Sequence, residues 1–499
     1  MEILKDYLRS NKSDIVPEMV AFAANLDLVA KRDARIAKSI VKELVDQRSH
    51  LKLIASENFC SHAVQSAMGN LLTDKYAEGY PGNRFYAGCD NVDDIERIAI
   101  DEAKQLFGSE HAFVQPHSGA DANLVAFWAV LRKKIQSPYM ERLGEKNLLA
   151  LSKKDWDEIR VGMGSQKMLG LDLYCGGHLT HGYRHNASAQ MFDSYFFMVN
   201  KETGLLDYDE IGNQLKEIRP LIFLIGYSAY TRNIDFKKMR ELADEVGAVL
   251  MVDMAHFAGL VAGGVMTGVN NPVPYADICT TTTHKTLRGP RGGLVLCKSE
   301  YAEYVDKACP HIMGGPLAHI MAAKAIALGE AREEGFKTYA KKVVENAAAL
   351  ADALVGQGID ILTGGTDNHM VIIDVGGLGL TGRQAENALR ECGLTLNRNT
   401  VPYDKNGPWY TSGLRLGTPA TTTLGMGVQE MKEIAGILAN VLNNMRPTKN
   451  KQGEPSLSGY RLNQDVKEDS IKRVKALMEK FVLYPEIDTG FLGAYFGLS

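Results

Sequence analysis

Lys285 stands in the run Thr280-Thr-Thr-Thr-His284-Lys285-Thr-Leu-Arg288-Gly-Pro-Arg291-Gly-Gly, between a β-favouring threonine stretch and a glycine/proline turn. Such flanks put the amine on scaffold rather than on a solvated helix face. Upstream, Gly247-Ala-Val-Leu-Met-Val-Asp253 reads as an apolar strand that ends in a carboxylate. A lysine able to form a Schiff base, with an acid to hold a pyridine nitrogen, is the pair that pyridoxal phosphate requires. Taken alone, the two residues are more simply a loop lysine and a buried cap. The chemical reading therefore rests on further motifs.

Pro116-His117-Ser118-Gly119 lies between a strand pattern and a helix pattern. Small residues there leave backbone N–H groups free for a phosphate, and Ser118 can add a hydroxyl; an ordinary helix cap is the alternative. Gly176-Gly-His178-Leu-Thr-His181-Gly182 sets an imidazole among glycines, where it can stack on a planar ring. A His-x-x-His metal pair is the competing reading, set aside because no third carboxylate or thiol stands nearby in sequence. A zinc site at Asp253 and His256 would leave Lys285 without a role, so no metal is expected. Glu78, in Lys75-Tyr-Ala-Glu-Gly-Tyr-Pro-Gly82, is either a solvated loop carboxylate or a general acid/base. Tyr76, Tyr80, Phe85 and Tyr86 offer flat surfaces around it. Arg415 alternates within a short strand pattern at 411–419 and suits a substrate carboxylate, or equally a structural ion pair.

These side chains must be positioned by a large framework. The 499 residues exceed the size at which one core usually divides. A helical stripe at 34–48 belongs to an N-terminal helical arm, 1–59. From 60 to 335, strands such as 112–115, 221–225, 248–252 and 294–296 alternate with helices such as 119–135, which predicts an α/β domain with a largely parallel sheet. Residues 133–170 interrupt it as a polar, helical surface excursion. A smaller α+β unit spans 336–445, with a helix at 382–392 capped by Thr381, Gln384 and Gly393. Residues 446–499 read as a surface linker, 446–458, and a C-terminal helical extension with a helix at 464–481. Net charge is −4, which gives no case for nucleic acid, and no apolar run approaches a membrane span of about 18 residues. The first 20 residues carry charges throughout and lack a signal segment, and seven scattered cysteines point to reduced thiols in a cytoplasmic enzyme.

In order along the chain, Leu53-Ile-Ala-Ser-Glu-Asn58, 75–82, 115–119, 176–182, 252–256, 280–293, 314–317 and 411–420 resemble the serine hydroxymethyltransferase family. The likeness runs from 35 to 445. It implies a fold-type I pyridoxal-phosphate enzyme with a mostly parallel seven-stranded sheet, working as a homodimer or a larger assembly of dimers. The implied reaction moves the hydroxymethyl carbon of serine to tetrahydrofolate, giving glycine and 5,10-methylenetetrahydrofolate. Residue by residue, the resemblance makes Lys285 the covalent anchor of pyridoxal 5'-phosphate and Asp253 the partner of its ring nitrogen. His178 would stack on the ring, Ser228 and His256 would meet its phenolic oxygen, and Ser118, Gly119 and His284 would hold the phosphate. Gly314 and Gly315 would reach in from the neighbouring subunit. Arg415 and Ser56 would take the substrate carboxylate. Glu78 and Tyr76 would serve proton transfer across the dimer interface, with Tyr86 at the substrate. Leu173, Gly177, Leu179 and Asn399 match folate-contacting positions.

Four departures stand out, one being the tail after about 446, which exceeds the family core. The excursion lengthens the gap between Ser118 and His178, Ala120-Asp121 replaces a Ser-Gln or Ser-Pro pair, and Phe85 stands where a tyrosine is common. Asp121 is expected to face away from the phosphate. Two other readings remain open: a folate-independent aldolase acting on threonine or allo-threonine, and a non-catalytic homologue that binds a metabolite or partner.

Overall fold

A computed structural model describes residues 2–11 and 15–498. Seven strands form the central sheet: β1 (His111–Phe113), β2 (Lys167–Leu171), β3 (Asp193–Phe197), β4 (Ile222–Gly226), β5 (Val249–Asp253), β6 (Ile278–Thr282) and β7 (Gly293–Cys297). Their order is β1-β7-β6-β5-β4-β2-β3. β7 runs antiparallel to both of its neighbours, and the remaining pairs are parallel.

The strands read as unbroken apolar runs because both faces are covered. Met168, Ile222, Leu224, Met251 and Ile278 point to one face, where the helix Gly119–Leu131 packs. Leu169, Phe223, Ile225, Leu250 and Val252 point to the other, under the helices Asp90–Phe107 and Ala318–Ala331. The 22-residue helix Glu334–Val355 joins two cores. Its Phe336, Tyr339 and Val343 belong to the large one, and its Leu350 and Leu354 to that of the smaller sheet. That sheet is antiparallel, in the order β8 (Asp360–Ile361), β9 (Met370–Asp374), β11 (Gly413–Gly417), β10 (Asn397–Asn399).

Several expected boundaries move. The helix at 119–135 ends at Leu131 and continues through a π-helical turn, Arg132–Gln136, into the helix Ser137–Leu143. The excursion thus begins as an extension of a core helix, and a second helix, Lys153–Gly164, completes it. The capping box of Thr381 and Gln384 forms, but the helix ends at Glu391 with Cys392 as its cap; Gly393 follows with φ +85°.

The surface linker expected at 446–458 is instead a hairpin of β12 (Met445–Lys449) and β13 (Pro455–Leu462). Its carbonyls find partners that the sequence does not announce. Thr381 Oγ1 donates to Leu457 O at 2.8 Å, and Gln384 Nε2 donates to Ser456 O and Gly459 O at 2.7 and 2.8 Å. Pro447 is tolerated because a two-stranded hairpin leaves one edge of each strand unpaired.

Helices Ile3–Ser10, Pro17–Arg32, Ala34–Ser49 and Thr489–Phe496 share a separate core built from Ile3, Met19, Leu26, Val41, Leu492 and Phe496. Arg48 ties the C-terminal segment to it. Its guanidinium donates to Leu483 O, Ile487 O and Thr489 Oγ1, each at 2.8 Å, and to Tyr484 O. Hydrogen bonds from a charged group to partly buried carbonyls are the strong kind. Arg48→Ala is therefore expected to lower stability by about 3 kcal/mol, read from urea unfolding. An unchanged midpoint would mean that apolar contacts alone hold the segment.

Candidate active site

The carboxyl ends of β1, β2, β4, β5 and β6 open on one cavity of about 340 Å³. This is where open α/β sheets place ligands, and the volume falls within the roughly 300–1,000 Å³ of small-molecule sites. Ser56, Ser118, Gly119, His178 and Ser228 line it, together with Asp253, His256, His284 and Lys285. Nine residues singled out along 230 positions of sequence therefore meet in one place.

Asp253 ends β5, and three neighbours hold its carboxylate. Oδ1 accepts from Ala255 N at 3.0 Å; Oδ2 accepts from Asn123 Nδ2 at 2.8 Å and lies 3.3 Å from His181 Nε2. Burial opposes its charge, yet these partners hold its pKa well below the usual carboxylate range. Asn123 is fixed in turn by Thr280, whose hydroxyl donates to Asn123 Oδ1 at 2.5 Å. The result is a permanent anion on the cavity floor.

His178 is the opposite case. Burial pushes its pKa down to about 4, so the ring is neutral at pH 7. Its Nδ1 accepts from Thr180 N at 3.2 Å and lies 2.7 Å from Thr180 Oγ1, which leaves the proton on Nε2. Gly176 and Gly177 allow this loop its course. A Cβ on Gly177 would sit 2.1 Å from Leu171 O, and one on Gly176 would sit 2.3 Å from Ala229 O.

Lys285 follows β6 in the turn that begins at Thr282. Asn58 Nδ2 donates to its carbonyl at 3.0 Å and anchors the backbone. Burial pulls the amine down to about 8; Arg415 and Arg291 act the same way, and Asp253 opposes them. His256 is neutral, its pKa pushed down by burial and by Lys285 and Arg415. Its ring stacks on His369, with Nδ1 3.4 Å from His369 Nε2.

Arg415, on β11, is oriented by two neutral groups. Nη1 donates to Ser228 O at 2.6 Å, and Nε donates to Asn397 Oδ1 at 3.1 Å. Among the described residues it has no carboxylate partner, which removes the structural ion pair as its explanation. Burial lowers its pKa to about 10, and the guanidinium keeps its charge. A buried cation without a counter-ion recruits one from its ligand.

The remaining predicted residues divide into two groups. Leu173 begins a short turn ahead of Gly177, Leu179 is half exposed, and Asn399 ends β10, with its amide donating to Thr400 O at 2.7 Å. Neither these three nor Gly177 line the cavity, and Arg415 reaches it only through its hydrogen bond to Ser228; Glu78, Tyr76, Tyr86, Gly314 and Gly315 also lie outside it. They cluster elsewhere on the surface: Tyr86 OH donates to Glu78 Oε2 at 3.4 Å, and Tyr76 packs edge-on against Tyr86. A Cβ on Gly315 would lie 3.2 Å from the Tyr76 ring. Phe85 is 68% exposed beside them.

The donor set fits pyridoxal phosphate. Gly119 approaches the threonine run so closely that a Cβ there would lie 2.7 Å from Thr282 Cγ2, and so the helix N-terminus opens directly on the cavity. His284 Nδ1 is buried without a hydrogen-bond partner among the described residues. Lys285 and Arg291 add positive charge to the same wall. Asp121 does not line the cavity; its carboxylate lies 3.9 Å from His117. These residues would hold a phosphate, with Asp253 beneath a pyridine nitrogen and His178 beside a ring.

No third ligand stands near His178 and His181 in sequence, but one does in space. The fold brings Asp253 to them, and the three ligand atoms lie within 4.8 Å of one another. Sequence spacing hides this because Asp253 arrives on a different strand. The surroundings still favour hydrogen bonding, since the Asn123 N–H occupies Asp253 Oδ2 and Thr180 occupies His178 Nδ1. Asn123, Thr180, His181 and His369 are site residues that motif reading left without roles.

The serine hydroxymethyltransferase family model matches residues 29–139 and 161–438. The interval between these blocks falls inside the 133–170 excursion. The chain is 58% identical to a serine hydroxymethyltransferase of Treponema pallidum (strain Nichols) over 494 residues, 99% of this chain and 86% of that one. It is 53% identical to the serine hydroxymethyltransferase of Salinispora tropica over 473 residues, 95% and 99% of the two chains. For the enzyme of that name from Chlamydia trachomatis serovar D, identity is 53% over 489 residues, 97% and 98%. With a family model matching most of its length and these relatives, the chain belongs to the serine hydroxymethyltransferase family.

Proposed function

We propose that this chain transfers the hydroxymethyl carbon of serine to tetrahydrofolate, forming glycine and 5,10-methylenetetrahydrofolate, with pyridoxal 5'-phosphate bound in the Lys285 cavity. The observation that carries the reading is the convergence of Lys285, Asp253 and His178 on one cavity, with Arg415 hydrogen-bonded to its lining residue Ser228, within a chain of this family. When bound, the cofactor supplies an electron sink for the pair left on Cα as serine loses its hydroxymethyl carbon.

The protein's own part is binding and orientation. Asp253 keeps a proton on the ring nitrogen, because a carboxylate so firmly ionised accepts a hydrogen bond rather than donating one. Neutral His178 lies against the ring face, and Ser228 and His256 meet the phenolic oxygen. Ser118, Gly119 and His284 hold the phosphate. Arg415 and Ser56 bind the serine carboxylate, which fixes the bond at Cα that stands perpendicular to the ring. Leu173, Gly177, Leu179 and Asn399 receive the folate.

The exposed group of Tyr76, Glu78, Tyr86, Gly314 and Gly315 serves the cavity of a second copy. Tyr76 is 57% and Tyr86 48% exposed in the single chain, and such aromatic clusters are typical of interface cores. The assembly is accordingly a homodimer or built from dimers, with Glu78 and Tyr76 moving protons at the serine hydroxyl and the folate. Seven free cysteines support a cytoplasmic setting, and among the described residues no helix is long and apolar enough to cross a membrane.

The test is glycine production from serine by the cofactor-loaded protein, with and without tetrahydrofolate. Strict dependence on the folate is expected. Equal rates without it would replace the transferase by an aldolase.

A further inference from the structure

Lys324 is 1% exposed, sits in the middle of the helix Ala318–Ala331, and has no part in the chemistry described above. Its ammonium donates to three backbone carbonyls: Val114 O at 2.6 Å, Gly293 O at 2.8 Å and Pro116 O at 2.9 Å. An ammonium has three N–H donors, and here each meets one carbonyl. Burial pulls its pKa down to about 7, with the carboxylates of Glu96 and Asp121 acting against that shift. The three carbonyl acceptors require the protonated form.

The acceptors are not scattered. Val114 and Pro116 bracket Gln115 in the segment that leads from β1 to Ser118 and Gly119. Gly293 begins β7, directly after the turn that carries Lys285 and Arg291. The same spot is locked a second time by Gly293 N, which donates to Pro116 O at 2.9 Å. Lys324 thus fastens together the two chain segments that form the phosphate wall, as a carbonyl-bound metal cation would. In a trans peptide the C=O and N–H point in opposite directions, so drawing the Pro116 carbonyl towards Lys324 turns the following N–H away from it.

On the reading that this cavity takes pyridoxal phosphate, we propose that Lys324 is a positioning residue for the cofactor phosphate, setting the Pro116–Gly119 loop through its three carbonyls and placing a positive charge behind it. The proposal separates phosphate recognition from ring recognition. Two variants address it by different routes. Lys324→Met removes the charge and the donors. Gly292→Ala keeps both but displaces them, since a Cβ there would lie 2.4 Å from Lys324 Cε and 3.0 Å from Nζ.

Cofactor-stripped wild-type and variant proteins would be titrated with pyridoxal phosphate and, separately, with pyridoxal, which lacks the phosphate. Each variant is expected to raise the Kd for pyridoxal phosphate by at least about tenfold while changing that for pyridoxal by less than about twofold. A parallel loss for both ligands, or no loss for either, overturns the role. If Lys324→Met does not fold, Gly292→Ala carries the test. Failure of the wild-type protein to bind pyridoxal phosphate would instead remove the cofactor reading itself, so the two failures are distinguishable.

Discussion

Lys285→Ala is expected to leave a folded protein that takes up pyridoxal phosphate without covalent attachment and turns over serine at least about 10³-fold more slowly. The loop and helix N-terminus proposed to hold the phosphate, and Asp253, are untouched by the change, so binding is expected to persist while borohydride no longer fixes the cofactor to the chain. A borohydride-stable adduct in the variant would show that a different amine is the anchor. The wild-type protein offers a companion measurement. Capture of the cofactor's aldehyde needs the free amine, and burial, aided by Arg415 and Arg291, brings Lys285 down to about 8. The capture rate of the cofactor-free protein is expected to rise about tenfold per pH unit below 8 and to flatten above it. A rate independent of pH between about 6 and 8 would contradict that assignment.

The second large effect lies at Arg415. Leaving a bound carboxylate without its buried cation costs about 3–4 kcal/mol, so Arg415→Ala is expected to raise the KM for serine by about 10²–10³-fold. Arg415→Lys recovers little of this, because a point charge does not reproduce the guanidinium fork. The contact with Asn397 sharpens the prediction. A neutral amide orients the guanidinium without neutralising it. Asn397→Asp places an anion where the substrate's is meant to act, and is expected to raise KM more than Asn397→Ala does. If Asn397→Asp bound serine as well as wild type, the uncompensated charge would not be what draws the carboxylate.

What could be read from the sequence was what lies contiguously along it. Lys285, His284 and Arg291 share one run, Asp253 ends a visible strand, and Ser118 and Gly119 precede a helix; that these strand ends meet in one cavity is shown by the fold. Residues that act only through distant contacts were illegible. Asn123 reaches Asp253 across 130 positions, and Lys324 meets Val114 across 210. In sequence, Lys324 is one lysine among alanines, the pattern of an ordinary helix face. The hairpin of β12 and β13 escaped for a related reason: its composition is that of a linker, and the carbonyl partners that order it belong to a cap about seventy residues earlier. The aromatics around Glu78 are visible in its loop, and its place across a dimer interface came only from the family resemblance; within one chain it stands apart from the Lys285 cavity.

The pairing of Asn397 with Arg415 across β10 and β11 bears on how the chain avoids misfolding. Strand register is the one degree of freedom that hydrogen bonding along a β-ladder leaves open, and a slip of one residue inverts every side chain. Shifted one way, β10 would set Arg398 opposite Arg415, two guanidinium groups face to face, and would pull Arg398 off Glu386. Shifted the other way, it would oppose a charged side chain to Leu396, which the native chain keeps 5% exposed. Either mistake is electrostatically or hydrophobically penalised while the strands are still assembling. The residues that would receive a substrate thus also proofread the sheet that carries them.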